Sequence, residues 1–432
     1  MVKSILLHCK SNQILTDAQH GFRAKRSCET QLLTLTHELV EGIAGGGQVD
    51  LILLDFSKAF DKVPHQRLLH KLHRYGISGK HLKWISEFLT KRHQRVVVEG
   101  SASPFAEVES GVPQGTVLGP VLFLLFINDL PDCVKYSGVR LFADDAAIYR
   151  KVSSVDDSKL LQEDLQHLAQ WEETWQMAFH PGKCKVMRIS RATSKIERDY
   201  SLRGHTLEVT SSEKYLGVTI DDKLSWSQQI KACTGNGNSK LGFLRRNIKI
   251  HNPNIKQTAY RSLCRSTLEY GCSVWSPHID DQIQSLENVQ RRAARYVCNR
   301  YKQRDSPTDM MNKMEWESLE DRRTKSRLSM TYKILHDYVD IPKFQFFSPL
   351  PPPARVTRRT QQVCRHTLGL RERDSAIDYV QASFFYSVPS IWNKLPPCVA
   401  EAPSLTSFKA QVSRRPLPCL MSSSSAAGQQ AA

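Results

Sequence analysis

The stretch Val139-Arg140-Leu141-Phe142-Ala143-Asp144-Asp145-Ala146-Ala147-Ile148-Tyr149 sets two adjacent acids between apolar residues on both sides. It reads as two short strands joined by a tight turn, with the acids at the turn. Carboxylates fixed at the tip of a buried hairpin are costly unless a cation sits against them. An isolated Asp-Asp pair is ordinary turn chemistry. Here the strands on either side are too apolar for a surface hairpin, and a second apolar run, Val49-Asp50-Leu51-Ile52-Leu53-Leu54-Asp55, also ends in an acid. Together they define one candidate site around hard metal ions: Asp55, Asp144 and, beside it, Asp145.

Outward from the acids, the periodicity orders the elements. A basic loop, Gly21-Phe22-Arg23-Ala24-Lys25-Arg26-Ser27, precedes a predicted helix from Glu29 to Gly42, closed by the turn Gly45-Gly46-Gly47. After the strand to Asp55 come helices at Gln66–Tyr75 and Lys80–Leu89, then a hairpin of Arg95–Glu99 with Phe105–Glu109. The loop Ser110 to Pro120 leads into an apolar helix, Val121 to Leu130. Beyond the acidic hairpin, Leu161, Leu165, Leu168, Trp171 and Trp175 mark a helix from about Asp157 to Gln176. A strand through Lys185–Ile189 follows. Strand, helices, two strands, helix, strand is an α+β, split βαβ, ferredoxin-like order with helices on one face. In that topology the first and third strands lie side by side, so their acidic ends converge on one edge.

Residues 206–222 suggest a further hairpin, and about 226–340 reads as helical and basic, with Arg291-Arg292 and Arg295, then Arg322-Arg323, Lys325 and Arg327. A solvated helix face accounts for each basic cluster taken alone. Pro349 to Pro353 marks a boundary, a small module runs to about Ser413, and the Ser- and Ala-rich end reads as disordered.

The chain has 432 residues, enough for two or three domains with a sizeable core. Sixty Lys and Arg against 43 Asp and Glu give a net charge of +17, which favours a polyanionic partner, nucleic acid before membrane. Eleven scattered Cys, odd in number and without a CxxC, argue against a disulfide framework or structural zinc. The apolar core of the first ten residues is too short for a signal peptide, and Val117–Ile127 is too short to span a bilayer. The expectation is an intracellular protein, nuclear or cytoplasmic and not secreted.

Four motifs in sequence carry a resemblance: Leu54-Asp55-Phe56-Ser57-Lys58-Ala59-Phe60-Asp61, Gly111-Val112-Pro113-Gln114-Gly115, Phe142-Ala143-Asp144-Asp145 and Lys214-Tyr215-Leu216-Gly217. In this order they resemble the reverse transcriptase of non-LTR (LINE-type) retrotransposons, nearest the jockey-like group, over roughly residues 10–410. The resemblance implies a right-hand polymerase: partial fingers at 1–48, a palm with fingers insertions and a primer-grip hairpin at 49–225, a basic helical thumb at 226–345, a C-terminal module at 346–413 and a tail at 414–432.

The implied chemistry is attack by a primer 3′ oxygen on an α-phosphorus, with an RNA template, a DNA primer and deoxynucleoside triphosphates as partners and no membrane. Two Mg²⁺ ions, or Mn²⁺ in their place, stabilise attacking and leaving oxygens together. Mg²⁺ takes few carboxylates plus substrate phosphates. Asp55 and Asp144 are the expected bridging ligands, Asp145 a weaker ligand, and the Phe56 carbonyl a further one implied by the family. Phe60 would stack under the sugar and exclude a ribose 2′-hydroxyl; the alternative is a core aromatic. Gln114 and Gly115 would approach nucleotide and template, or simply form a turn. Lys183 would protonate the pyrophosphate leaving group, or be a surface lysine. Arg23 and Arg26 match a motif that contacts the triphosphate. Tyr215, Leu216 and Gly217 match the primer-gripping hairpin, and the basic thumb would track the duplex backbone.

Family members carry an N-terminal endonuclease and an earlier fingers segment, and neither has a counterpart here. The expectation is therefore an N-terminally truncated copy with an intact polymerase site. The alternative is a catalytically inactive remnant that only binds nucleic acid. The module around Ser390–Pro396 also matches the family, without a physical account of its role.

Overall fold

A computed structural model describes residues 1–350 and 366–414. They divide into two compact units: 1–31 with 45–215, and 32–44 with 216 onward. The chain passes from the first unit to the second between Gln31 and Leu32, and again between Tyr215 and Leu216. Pro351–Pro353 and residues 415–432, expected as boundary and tail, lie outside the described residues.

The first unit begins with α1 (Val2–Ser11) and the start of α2 (Cys28–Ile43). Strand β1 (Gln48–Leu54) is buried at every position, as a continuous apolar run requires. Helices α3 (His65–Arg74) and α4 (Gly79–Leu89) follow. The expected hairpin forms with a different pairing. His93–Gln94 (β2) pairs with Ala106–Glu107 (β5), and Val97–Val98 (β3) with Ser101–Ala102 (β4), because the chain reverses at Glu99-Gly100, both at positive φ. Helix α5 (Leu118–Ile127) starts three residues earlier than its apolar run suggests. Pro120 is tolerated in a first turn, where its missing N–H has no intrahelical partner to lose, and Thr116 Oγ1 accepts from Gly119 N at 3.1 Å.

Strands β6 (Gly138–Phe142) and β7 (Asp145–Lys151) form the acidic hairpin. Helix α6 (Val155–Trp175) starts at a capping box: Asp157 N donates to Ser154 Oγ at 3.3 Å and Ser154 N to Asp157 Oδ2 at 3.0 Å. After β8 (Lys185–Ser190) come β9 (Ser201–Leu202), β10 (His205–Thr206) and β11 (Glu208–Val209). The sheet order is β11-β8-β1-β7-β6. Its four main strands are antiparallel and follow the ferredoxin-like order, with the first and third adjacent. The hairpin expected over 206–222 forms from Ser212–Tyr215 and Val218–Asp221, while Glu208–Val209 ahead of it extends the main sheet, as β11 pairs in parallel with β8. One face packs Ile52, Leu54, Ile148 and Val186 against Leu122, Phe123, Leu165, Leu168 and Trp171. On the opposite face Val49, Leu51 and Ile189 are buried as well. Strand β12 (Ser212–Tyr215) ends the unit.

The second unit opens with β13 (Val218–Asp221) and α7 (Ser227–Asn247). Then come α8 (Pro253–Ala259), a π-helical stretch Tyr260–Arg265, α9 (Ser266–Glu269), α10 (Cys272–Trp275), α11 (Asp280–Cys298), α12 (Pro307–Lys313) and α13 (Leu319–Leu335). The C-terminal helices, including Phe384–Asn393 and Leu405–Arg414, belong to this same unit rather than to a separate module. Tyr332 of α13 explains why: its hydroxyl donates to Ala402 O at 2.6 Å and its ring stacks on Phe408 at 4.5 Å. Among the described residues no cysteine is joined in a disulfide, and no helix is long and apolar enough to cross a membrane.

Candidate active site

The β1–β7 register aligns Leu54 with Ala146, so Asp55 and the Asp144-Asp145 pair emerge at the same end of two neighbouring central strands. The charge of Asp55 reaches both members of the pair. Asp144 is raised by burial first, its own backbone N–H opposing, and then by Asp55. Asp145 keeps access to solvent, yet it is pushed up to about 6 by the surrounding fold and then by Asp144 and Asp55. Two carboxylates raised by burial and by the acids beside them make a site that gains from a cation.

The turn that presents them is held from outside. Phe142 pairs with Asp145 across a two-residue turn, and Ala143 sits at φ +54°, a conformation an L-residue adopts at a cost. Gln19 Oε1 accepts from Ala143 N at 2.9 Å and from Gly21 N at 2.7 Å, while Gln19 Nε2 donates to Ala143 O at 3.2 Å. Residues 18–20 lie along β6: Leu141 N donates to Ala18 O and His20 N to Leu141 O, both at 2.8 Å. A Cβ on Gly21 would stand 2.2 Å from Ala143 N, so only glycine fits there.

Asp55 is braced by the segment after α6. His180 N donates to Asp55 O at 2.7 Å and Ser57 N to Ala178 O at 2.9 Å, with the Phe56 and Phe179 rings stacked at 4.1 Å. Phe179 N in turn donates to buried Glu172 Oε1 at 2.6 Å. Lys183 Nζ lies 3.2 Å from Asp55 Oδ2, an ion-pair distance, although Oδ2 accepts no well-angled hydrogen bond among the described residues.

The other expected residues divide. Phe60, half-buried, stacks on Phe123 at 4.5 Å with Phe22 edge-on at 6.3 Å. Gln114 Nε2 donates to Asp61 Oδ1 at 2.8 Å, and Gly115 is exposed with open space about it at φ +77°. Arg26 is turned inward: it donates to Asp17 Oδ1 and Asp17 O, both at 2.7 Å, and to Gln19 O at 2.9 Å. Arg23 donates to Thr16 O and stands 3.7 Å from Asp17 Oδ1. Both arginines thus brace the loop that carries Gln19. Tyr215 is buried, its hydroxyl accepts from Gln31 Nε2, and its pKa is raised by burial first and by Asp145 among its neighbours. Leu216 and Gly217 lie in the second unit at φ +47° and +85°, and Tyr270 OH donates to Leu216 O at 3.0 Å.

Gln19, Gly21, Glu172 and His180 were not singled out in the sequence. The first two flank His20 directly, outside any periodic pattern. Glu172 alone left a trace, as an acid one position after Trp171 on the apolar stripe of α6.

Among the described residues, no three His, Cys, Asp or Glu side chains close a metal cage by themselves. Mg²⁺ does not need one, since it binds through one or two carboxylates with waters and substrate phosphates completing the octahedron. The raised carboxyls of Asp144 and Asp145 fit such an ion.

A ferredoxin-like sheet with acids at the ends of its paired central strands is the palm of a right-hand polymerase. The chain belongs to the reverse transcriptase (RNA-dependent DNA polymerase) family, whose model matches residues 1–220. It is 28% identical over 309 residues to the RNA-directed DNA polymerase from mobile element jockey of Drosophila melanogaster, covering 69% of this chain and 34% of that protein. It is also 28% identical to the probable RNA-directed DNA polymerase from transposon BS of Drosophila melanogaster, covering 66% and 33%. The chain thus spans about a third of the length of these relatives. Among solved structures it is similar to apo telomerase from Candida tropicalis, at 11% identity and a TM-score of 0.42, covering 78% of this chain and 53% of that one.

Proposed function

We propose that the chain is an RNA-directed DNA polymerase that adds deoxynucleotides to a primer 3′ end on an RNA template. The observation that carries this reading is the convergence of Asp55, Asp144 and Asp145 at one end of β1 and β7, each raising the next. Asp55 and Asp144 would hold Mg²⁺, with the Phe56 carbonyl and Asp145 beside them. Bound there, the ions would supply charge stabilisation for the attacking and leaving oxygens.

The chain's own groups do the remaining work. Residues 1–31 and 45–215 act as palm with partial fingers, and the helices after Ser227 as thumb. Gln19 fixes the acidic turn so that the carboxylates need no reorganisation when charge develops. Phe60, wedged on Phe123, limits room beside the sugar. Gly115 leaves backbone N–H groups open to approach, and Gln114 is positioned by Asp61. Lys183 offers a proton to the leaving pyrophosphate. Tyr215, Leu216 and Gly217 hold the primer end.

The test is primer extension on an RNA template with Mg²⁺, comparing the natural chain with Asp144→Asn. Extension lost in the variant, with primer–template binding kept, supports the reading. Equal extension by both sinks it, and binding without extension by either reduces the protein to a nucleic-acid binder.

A further inference from the structure

The basic run of α13 is not a solvated face: Arg323 is 1% exposed and Arg327 8%. Two other cations of the run are matched within the protein. Arg322 donates to both carboxylate oxygens of Glu269, one of them at 3.0 Å, and Lys325 donates to Glu317 Oε1. Arg323 and Arg327, one turn apart on a single stripe of the helix, have no such partner. Nε, Nη1 and Nη2 of Arg323 are all buried, and none has a hydrogen-bond partner among the described residues. Arg327 Nη2 donates to neutral groups, Ala382 O at 3.5 Å, Ser383 O at 3.4 Å and Ser387 Oγ, while its buried Nε has no partner among the described residues.

A guanidinium carries five N–H donors and keeps its proton. Burial pulls both pKa values down, that of Arg327 to about 10, and both groups stay charged at neutral pH. Leaving such a group buried without an acceptor is costly. Glu287 of α11 acts on Arg323 from a distance, but its Oε1 accepts from Glu320 N at 3.0 Å. Glu320 itself is exposed, and Glu269 is taken by Arg322. Two buried positive charges therefore face one buried carboxylate, and a single negative charge is missing. Helix α10 packs on α13, and its Cys272 is near enough to act on both guanidinium groups. Beside Cys272, Ser273 Oγ is buried and has no hydrogen-bond partner among the described residues, so α10 brings one more donor.

We propose that Arg323, Arg327 and Ser273 form a buried site for one monovalent anion of chloride size. Every unpartnered atom of the cluster can donate, so the missing partner is an acceptor. One negative charge balances the cluster, and a polyvalent oxyanion would overcharge it. A phosphate of a nucleic-acid chain cannot reach a guanidinium that is 1% exposed. The ion would enter by local opening of the helices and, once bound, would stabilise the second unit. The site uses none of the polymerase residues and does not rest on that activity.

The experiment follows thermal unfolding of the full chain, free of nucleic acid, as sodium chloride replaces sodium gluconate at constant ionic strength. Line broadening in chloride NMR reads the bound ion directly. The natural chain should melt higher as chloride rises and then level off, as a saturable site requires. Arg323→Met should lose both the rise in Tm and the excess broadening. Ser273→Ala should need roughly tenfold more chloride for the same effect, the worth of one hydrogen bond to a charged group. Arg292→Gln, at an exposed position on α11, should respond as the natural chain does. An equal chloride response in Arg323→Met and the natural chain overturns the proposal. So does a natural chain indifferent to chloride, whose buried donors are then served by water. Should Arg323→Met fold poorly, Ser273→Ala decides: a raised chloride midpoint supports the site, and an unchanged one refutes it.

Discussion

Gln19 holds both backbone polar groups of Ala143, accepting from its N–H at 2.9 Å and donating to its carbonyl at 3.2 Å. Ala143 is the positive-φ residue immediately before Asp144 and Asp145. A primary amide is the one side chain of this length that can donate and accept at once. Gln19→Ala leaves buried groups unsatisfied and should cost about 1–3 kcal/mol, read as a lowered Tm. Extension should fall at least roughly tenfold, since the acids lose their fixed geometry. Gln19→Glu keeps the acceptor but cannot donate when ionised, and it should fare no better. A Gln19→Ala protein that melts early yet extends at the natural rate would show that the contact is structural only.

Glu172 makes a pH-dependent contribution to stability. Its carboxyl, 2% exposed, is raised from 4.5 to about 7 by burial, against the lowering effect of Phe179 N–H and Arg203. The folded state therefore keeps a proton that the unfolded chain releases above its ordinary carboxylate pKa. Stability from this group is fullest below about 4.5, falls as pH rises to about 7, and is level beyond, a span of at most about 3 kcal/mol. Urea unfolding at pH 5 and pH 8 should show the loss. Glu172→Gln keeps an acceptor for Phe179 N–H and should flatten the difference; an undiminished pH dependence in that variant would assign it to other groups.

The palm was legible because its signals are periodic. The apolar runs ending in Asp55 and flanking Asp144-Asp145 could only be buried strands, and the five-residue stripe of α6 could only be a helix. Turn-level register was less legible. Positive φ at Glu99 is unusual for a non-glycine residue, and it moved the hairpin pairing. The cap at Ser154 and the proline in the first turn of α5 moved helix starts by two or three residues. What the sequence hid were side chains that act on distant backbone. Gln19 bonds to Ala143, 124 positions away, and no local pattern marks it. The C-terminal helices were invisible as part of the second unit for the same reason, since Tyr332 meets Ala402 and Phe408 only in three dimensions.

Phe60 separates a gate from a core aromatic. Its ring packs flat on Phe123 and edge-on to Phe22 but remains only half-buried, so part of it is open to solvent. Phe60→Val should cost roughly 1–3 kcal/mol of stability from the lost packing. If the ring limits space beside the sugar, ribonucleotide incorporation relative to deoxynucleotide should rise at least about tenfold, since a steric exclusion is worth a few kcal/mol. Single-nucleotide extension with each triphosphate measures this. A destabilised variant with unchanged sugar selectivity would leave Phe60 as a packing residue.

Lys183 has two possible duties at Asp55, and one pair of variants tells them apart. Its side chain is 63% exposed, and Nζ lies 3.2 Å from Asp55 Oδ2. As a general acid it must release a proton to the leaving pyrophosphate, and its removal should slow the chemical step by about 10²-fold or more. As a counter-ion it need only stay charged. Lys183→Ala abolishes both duties. Lys183→Arg keeps the charge, but a guanidinium does not give up its proton in the accessible pH range. Single-turnover extension at one pH should therefore find the arginine variant nearly as slow as the alanine variant. Recovery of the natural rate by arginine would mean that Lys183 neutralises Asp55 and that the proton comes from elsewhere.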